Sequence, residues 1–239
     1  KKGNGIANFE GISPNFHGVT SVVTGGLVLR NPLSIGTGVL EIETVDSPSV
    51  GNSGLVALEF SGQANQHATF SNSVKGTGEL NVVGSYIDIT GDNSDFEGSL
   101  HIGGSAYVTE QKNIGQSTIN LTGLLGLNPQ GDFTFNNRLI APSSGSLVVS
   151  METPQNIFKF DDIYHGFPSQ FEGEIVLEQG AFDISGRNTE ALTSATLKLS
   201  PYGTAFLGGD PGNPMTQAIG GLTFSGGMLS LRPSGDDFT

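Results

Sequence analysis

The residues able to do chemistry are few and scattered. Ser53 stands between glycines in "GNSG" (Gly51–Gly54), a setting that can present a nucleophilic hydroxyl on a tight loop. A serine nucleophile needs a base within hydrogen-bond reach and an acid to orient that base. Only His17 lies upstream, and its neighbours carry no pattern that would make it that base, so Ser53 reads as part of a corner turn. The acidic groupings are Asp92 with Asp95, Asp161 with Asp162, and Asp236 with Asp237. Calcium takes several carboxylate and carbonyl oxygens, but no EF-hand loop or nonapeptide Gly-Asp repeat surrounds these pairs, and they read as solvated turns. His17, His67, His101 and His165 share no metal-ligand spacing and read as surface or turn residues. The expectation is a protein that is not an enzyme, with no catalytic, cofactor-binding or metal-binding residues.

Composition narrows the setting. The 239 residues include 36 glycines and no cysteine, and only 14% are charged. The formal net charge is −13, and the cations, such as Arg30, Lys75, Arg138 and Arg187, are dispersed. Phosphate-backbone binding needs clustered cations, so nucleic acid is not an expected partner. An acidic surface suits solubility and weak repulsion from anionic surfaces. Without disulfides, a secreted chain must draw its stability from extended packing and hydrogen bonding. No segment approaches the roughly 18 apolar residues of a transmembrane helix, and "KKGNG" at the start is not followed by the apolar run of a signal peptide. The sequence reads as a portion of something longer.

The elements that would position these residues are short strands. "DITGDNSDFEGSLHIGG" (Asp88–Gly104) passes from a polar Gly-Asp-Asn turn into an alternating run, with Phe96, Leu100 and Ile102 on one face and Glu97, Ser99 and His101 on the other. The pattern recurs: "FEGEIVLEQGAF" at Phe171 answers "FEGSLHIGGSAY" at Phe96. "GELNV" (Gly78–Val82) answers "GSLVV" (Gly145–Val149), and "STINL" (Ser117–Leu121) answers "ATLKL" (Ala195–Leu199). The spacing slips by a few residues while the pattern holds, as it does when loops are inserted between stacked units. No 3.6-residue period lasts a dozen residues, so helix is not expected beyond a turn or two. Repeated short strands separated by Gly and Asn turns predict an all-β fold, a parallel β-helix (β-solenoid). Coils of roughly 24 residues give about ten rungs, on the order of 50 Å long at ~4.8 Å each. Phe96 and Phe171 are expected as inward ladder residues.

"ITGDNSDFEGSLHIGGSAYV" resembles the passenger repeat of classical monomeric autotransporters of Gram-negative bacteria, the AIDA- and pertactin-like group. Thr90, Gly91, Asn93, Phe96, Gly98, Leu100, Ile102 and Gly104 fit it. The second copy keeps Phe171, Gly173, Ile175 and Leu177 but has "FPSQ" in place of the Asn turn. "SVKGTGELNVVG" resembles the stretch that often precedes the repeat, and "GGLTFSGGMLSLRPSGDDFT" resembles the lead-in to the C-terminal part of such passengers. The likeness covers roughly Ala68 to Thr239. It implies a right-handed β-helix displayed outside the outer membrane, residues 1–239 being one elongated fragment of a larger passenger, with membrane contact only through a C-terminal barrel beyond this sequence. The implied roles are adhesion, aggregation or service as a stalk, with host-cell or neighbouring bacterial surface molecules, or further copies of the protein, as partners. The alternative is a β-helical polysaccharide-degrading enzyme or a tailspike-like depolymerase.

One interval departs from the repeat. Between Val149 and Phe171 the second copy is longer than the first, and residues 150–170 are expected to project as an insertion loop. It carries Phe158, Phe160, Tyr164, His165 and Phe167, which on a projecting loop would suit contact with a partner or with sugars. The competing reading has the loop fold back and bury its aromatics.

Overall fold

The computed structural model describes residues 3–44, 53–160, 170–184, 192–209 and 218–233. It is all-β, and among the described residues the one helical element is a 3-10 turn at Gln111–Asn113. Among the described residues the strands pair in parallel. The strands make a β-solenoid of about nine turns. The chain divides into two compact units, Lys1–Leu125 and Gly126–Thr239.

The first unit has three ladders. The longest stacks Ile6–Phe9, Gly25–Leu29, Gly54–Leu58, Glu79–Val82, Ser99–Ile102 and Thr118–Leu121 in that order. Its register places Leu27, Val56, Leu80, Leu100 and Ile119 in one column and Leu29, Leu58, Val82, Ile102 and Leu121 in a second. All ten side chains are buried. The intervening residues point to the opposite face, where Val28 and Ala57 are nonetheless buried. A second ladder stacks Ala68–Phe70, Ile87–Ile89 and Ser105–Val108. The third stacks Val19–Val22, Val39–Ile42 and Val74–Lys75.

Corners turn on asparagine and glycine. Asn72, Asn93 and Asn113 are buried, and their amides bond backbone groups of neighbouring coils and, for Asn113, of its own turn. Asn93 accepts from the Val74 N–H at 2.7 Å and donates to the Asn113 carbonyl. Asn113 accepts from Glu110 N–H and donates to the Gly91 carbonyl. Asn72 donates to the carbonyls of Gly36 and Gly38. Gly84, Gly104 and Gly123 mark another corner, where a Cβ on each would collide with the carbonyl oxygen one coil before: Phe60, Gly84 and Gly104 respectively. The "GDN" turn is thus a corner and "FEGSLHI" the side that follows it, with Phe96, Leu100 and Ile102 inside.

In the second unit, Phe133–Phe135, Ile157–Phe160 and the later halves of Glu174–Asp183 and Thr196–Gly209 stack in sequence, followed by Met228–Pro233. Beside them, Ser146–Ser150, the earlier halves of the same two long strands, and Gly221–Phe224 form another run. Ten- and fourteen-residue strands were not anticipated from the short alternating runs. Each continues around a corner past a register shift, the first between Leu177 and Gln179, where a bulge bends the strand without ending it. Phe171, the counterpart of Phe96, is buried. The repeat has a structural meaning. Glu79–Val82, Ser99–Ile102 and Thr118–Leu121 are consecutive rungs, and so are the strands that carry "GSLVV", "FEGEIVL" and "ATLKL".

Residues 150–170 do not project as a whole. Met151 is buried, and Ile157–Phe160 is a rung between Phe133–Phe135 and Ala181–Asp183; residues 161–169 lie outside the described residues.

Two stability predictions follow from these contacts. Asn93→Ala leaves the buried Val74 N–H without its acceptor, and urea unfolding is expected to show a loss of about 1–3 kcal/mol. Glu41 and Lys75 face each other in register on adjacent rungs, Nζ to Oε1 3.0 Å, and the lysine's hydrogen bond holds the Glu41 carboxyl below its ordinary value of 4.5. A carboxylate with a depressed folded pKa stabilises the fold fully above its unfolded value and loses that contribution as the pH falls through the folded one. The stability gap between the wild type and Lys75→Met, about 0.2–1 kcal/mol at neutral pH, should close as the pH is lowered below 4.5.

Candidate functional site

On the ladder Ala68–Phe70, Ile87–Ile89, Ser105–Val108, the core side is filled by Phe70, Ile87, Ile89, Ala106 and Val108, all buried. The outward side of the same coils holds an unusual set of side chains. Thr69 pairs in register with Asp88, and Asp88 with Tyr107. Two positions earlier on each coil, and so on the same side, stand His67, Tyr86 and Ser105. His67 Nδ1 lies 2.7 Å from Asp88 Oδ1, with side chains 24% and 37% exposed. The imidazole packs against two phenol rings, with centroids 4.4 Å from Tyr107 and 5.7 Å from Tyr86. The two tyrosine rings are 6.5 Å apart and 7° from parallel.

The backbone here is held in an uncommon state. Tyr86 has φ +56° and is, among the described residues, the one non-glycine residue with positive φ. That conformation costs an L-residue roughly 1–2 kcal/mol. It is fixed by two hydrogen bonds, Tyr86 N–H to Ser105 Oγ at 2.8 Å and Ala68 N–H to the Tyr86 carbonyl at 2.9 Å. Gly62 sits beside them, where a Cβ would meet the backbone of His67, Ala68 and Tyr86. Glycine therefore lets the Gln63–Gln66 hairpin run close along the patch. Strain of this kind, retained by surrounding contacts, is found where a surface has a task. Chemically, the cluster offers two phenol rings, a carboxylate and an imidazole whose second nitrogen is the one not turned to Asp88.

The other sequence candidates are dispersed. Ser53 is exposed. His17 is turned to Thr37 Oγ1 at 2.6 Å. Asp92 accepts from the Ser94 hydroxyl and N–H, closing its own turn. His101 lies on the outward side of its strand, between the buried Leu100 and Ile102. Among the described residues no three His, Cys, Asp or Glu side chains gather in a way that could hold a metal ion. Asp161, Asp162, Asp236 and Asp237 lie outside the described residues.

Two of the aromatic candidates between Val149 and Phe171, Phe158 and Phe160, are placed differently from the expected projecting loop. Phe158 is fully buried and cannot touch a partner. It occupies an inward column in register with Phe133 and Phe182, with ring centroids 6.4 Å and 5.0 Å away. Phe160 is half-buried and meets Phe135, Phe158 and Phe182 at 5.6, 5.3 and 5.8 Å. Both serve packing, because the strand alternation points Phe158 inward and the cluster gathers Phe160. Tyr164, His165 and Phe167 lie outside the described residues. What sequence reading missed was His67 with Asp88. The signal was their spacing of 21 residues, one coil plus the two-residue step that keeps a strand face, with Tyr107 one coil further on from Asp88.

No family model matches the chain, and no solved structure matches it. It is similar to an uncharacterized protein, YuaQ, of Escherichia coli (strain K12), with 35% identity over 158 residues. The match takes in 65% of this chain and 11% of the relative, so the chain spans only a small part of that protein's length.

The packing role of Phe158 has a direct check. Phe158→Ala should cost about 3–5 kcal/mol in urea unfolding, whereas Tyr202→Ala, at an exposed position, should change stability by no more than about 0.5 kcal/mol.

Proposed function

We propose that the chain is a segment of a cell-surface passenger of the autotransporter kind, exported across the outer membrane and wound as a right-handed β-helix. Its task is adhesive: attachment to host cells or to neighbouring bacteria, on a scaffold that also serves as a stalk. The observation that carries the reading is the coil itself. Rung after rung repeats one register, with apolar columns inside and polar or aromatic side chains outside. Such a stack gains length without a new core design for each coil, because each repeat contacts only its neighbours. The net charge of −13 and the absence of cysteine suit a secreted, solvated surface. A much longer relative in a Gram-negative bacterium agrees with a segment of a long surface protein.

The test is attachment. The chain is fused to an outer-membrane barrel and displayed, and cells bound to each other and to cultured host cells are counted against a barrel-only control. Attachment several-fold above the control is expected. Attachment equal to the control, with display confirmed by antibody, would remove the adhesive role and leave the stalk. Deleting residues 161–169 in the same assay tests whether Tyr164, His165 and Phe167 contribute.

A further inference from the structure

We propose that Tyr107, Tyr86, His67 and Asp88 form a binding platform for a neutral, pyranose-based saccharide. The proposal rests on the adhesive form of the function above and gives it a ligand class. Four observations carry it. The core beneath this ladder is already filled by Ile87, Ile89, Ala106 and Val108, so the outer rings add nothing needed inside. They are nevertheless gathered, 4.4 to 6.5 Å apart, on one outward face. Tyr86 keeps a positive φ to take its place there, secured by Ser105 and Ala68. Finally, the polar groups around the rings are hydrogen-bonding rather than cationic: Asp88, Thr69, Ser105, and Gln63 and Gln66 on the adjoining hairpin.

That combination matches the two-sided chemistry of a sugar. The C–H face of a pyranose is apolar and lies on an aromatic ring, and its rim of hydroxyls needs acceptors and donors at the ring's edge. A carboxylate is the strongest neutral-hydroxyl acceptor a protein offers. The charge of the ligand follows from the same groups. An anionic sugar would meet Asp88 and a chain of net charge −13. A cationic ligand would have to share the Asp88 carboxylate with His67. A neutral saccharide can use the remaining carboxylate oxygen without breaking that pair.

The experiment uses the purified chain and saturation-transfer NMR with four neutral probes, namely lactose, maltotriose, xylotriose and N,N′-diacetylchitobiose, and with a polygalacturonate oligomer as the anionic comparison. Transfer to at least one neutral probe and none to the anionic one is expected. Tyr107→Leu keeps apolar bulk on the sheet but removes the ring, and should weaken that binding at least tenfold. Asp88→Asn should weaken it about threefold or more, and Tyr202→Ala, an exposed tyrosine of the other unit, should leave it unchanged. Thermal unfolding of each variant confirms the fold. Should Tyr107→Leu fail to fold, Asp88→Asn decides the matter alone. Absence of transfer to every neutral probe, full binding in a folded Tyr107→Leu or Asp88→Asn, or equal loss in Tyr202→Ala would overturn the platform. If displayed cells attach while no probe binds, only this inference falls. If probes bind while cells do not attach, only the adhesive role falls.

Discussion

The parallel register between successive coils is the constraint from which the remaining features follow. Once Leu80 lies over Val56 and under Leu100, every other residue on those strands is committed to the core or to solvent. A slip of one residue would turn Leu100 and Ile102 outward and bring Ser99 and His101 into the core. The penalty for such a slip is repeated on each rung, so the register is specified many times over by ordinary aliphatic side chains. In the second unit the same rule builds its core from larger pieces, with Phe133, Phe158 and Phe182 in one column. Phe158 and Phe160, in a segment that read as a projecting insertion, are therefore part of the packing.

Stacking also dictates the corners. A turn in one coil lies against the turn of the next, so its backbone groups must be satisfied by the neighbour, and its side chains must leave room. Asn93 and Asn113 meet the first demand by carrying an acceptor and a donor on one short side chain. Gly84, Gly104 and Gly123 meet the second, because the preceding carbonyl occupies the space a Cβ would need. These two devices account for much of the polar, glycine-rich composition. They also let a chain without disulfides hold tight turns, since the cross-links between coils are hydrogen bonds made at every rung.

Because the core and corners are so strongly prescribed, the outward positions are where such a chain is free to vary. Most carry Ser, Thr, Asn or charged residues. The face around His67 departs from that pattern, with two phenol rings, a His–Asp pair and a tyrosine in a conformation normally left to glycine. Its members come from three successive coils, so the solenoid acts as the device that brings residues 67, 86 to 88, and 107 onto one surface.

How much of this was legible beforehand depends on the range of the interaction. The sequence by itself determined the strand class, the coil habit, the asparagine corner at Asn93 and the inward places of Phe96 and Phe171. Each of these is written in alternation, turn chemistry or repeat, which act over a few residues. Ile157–Phe160 as a rung, the long bent strands at Glu174–Asp183 and Thr196–Gly209, and the union of His67 with Asp88 and Tyr107 were decided only by the tertiary structure. Those features depend on which residue lies one coil away, and coil length varies with every loop. A local pattern states which way a side chain points, but only the register between coils states what it meets.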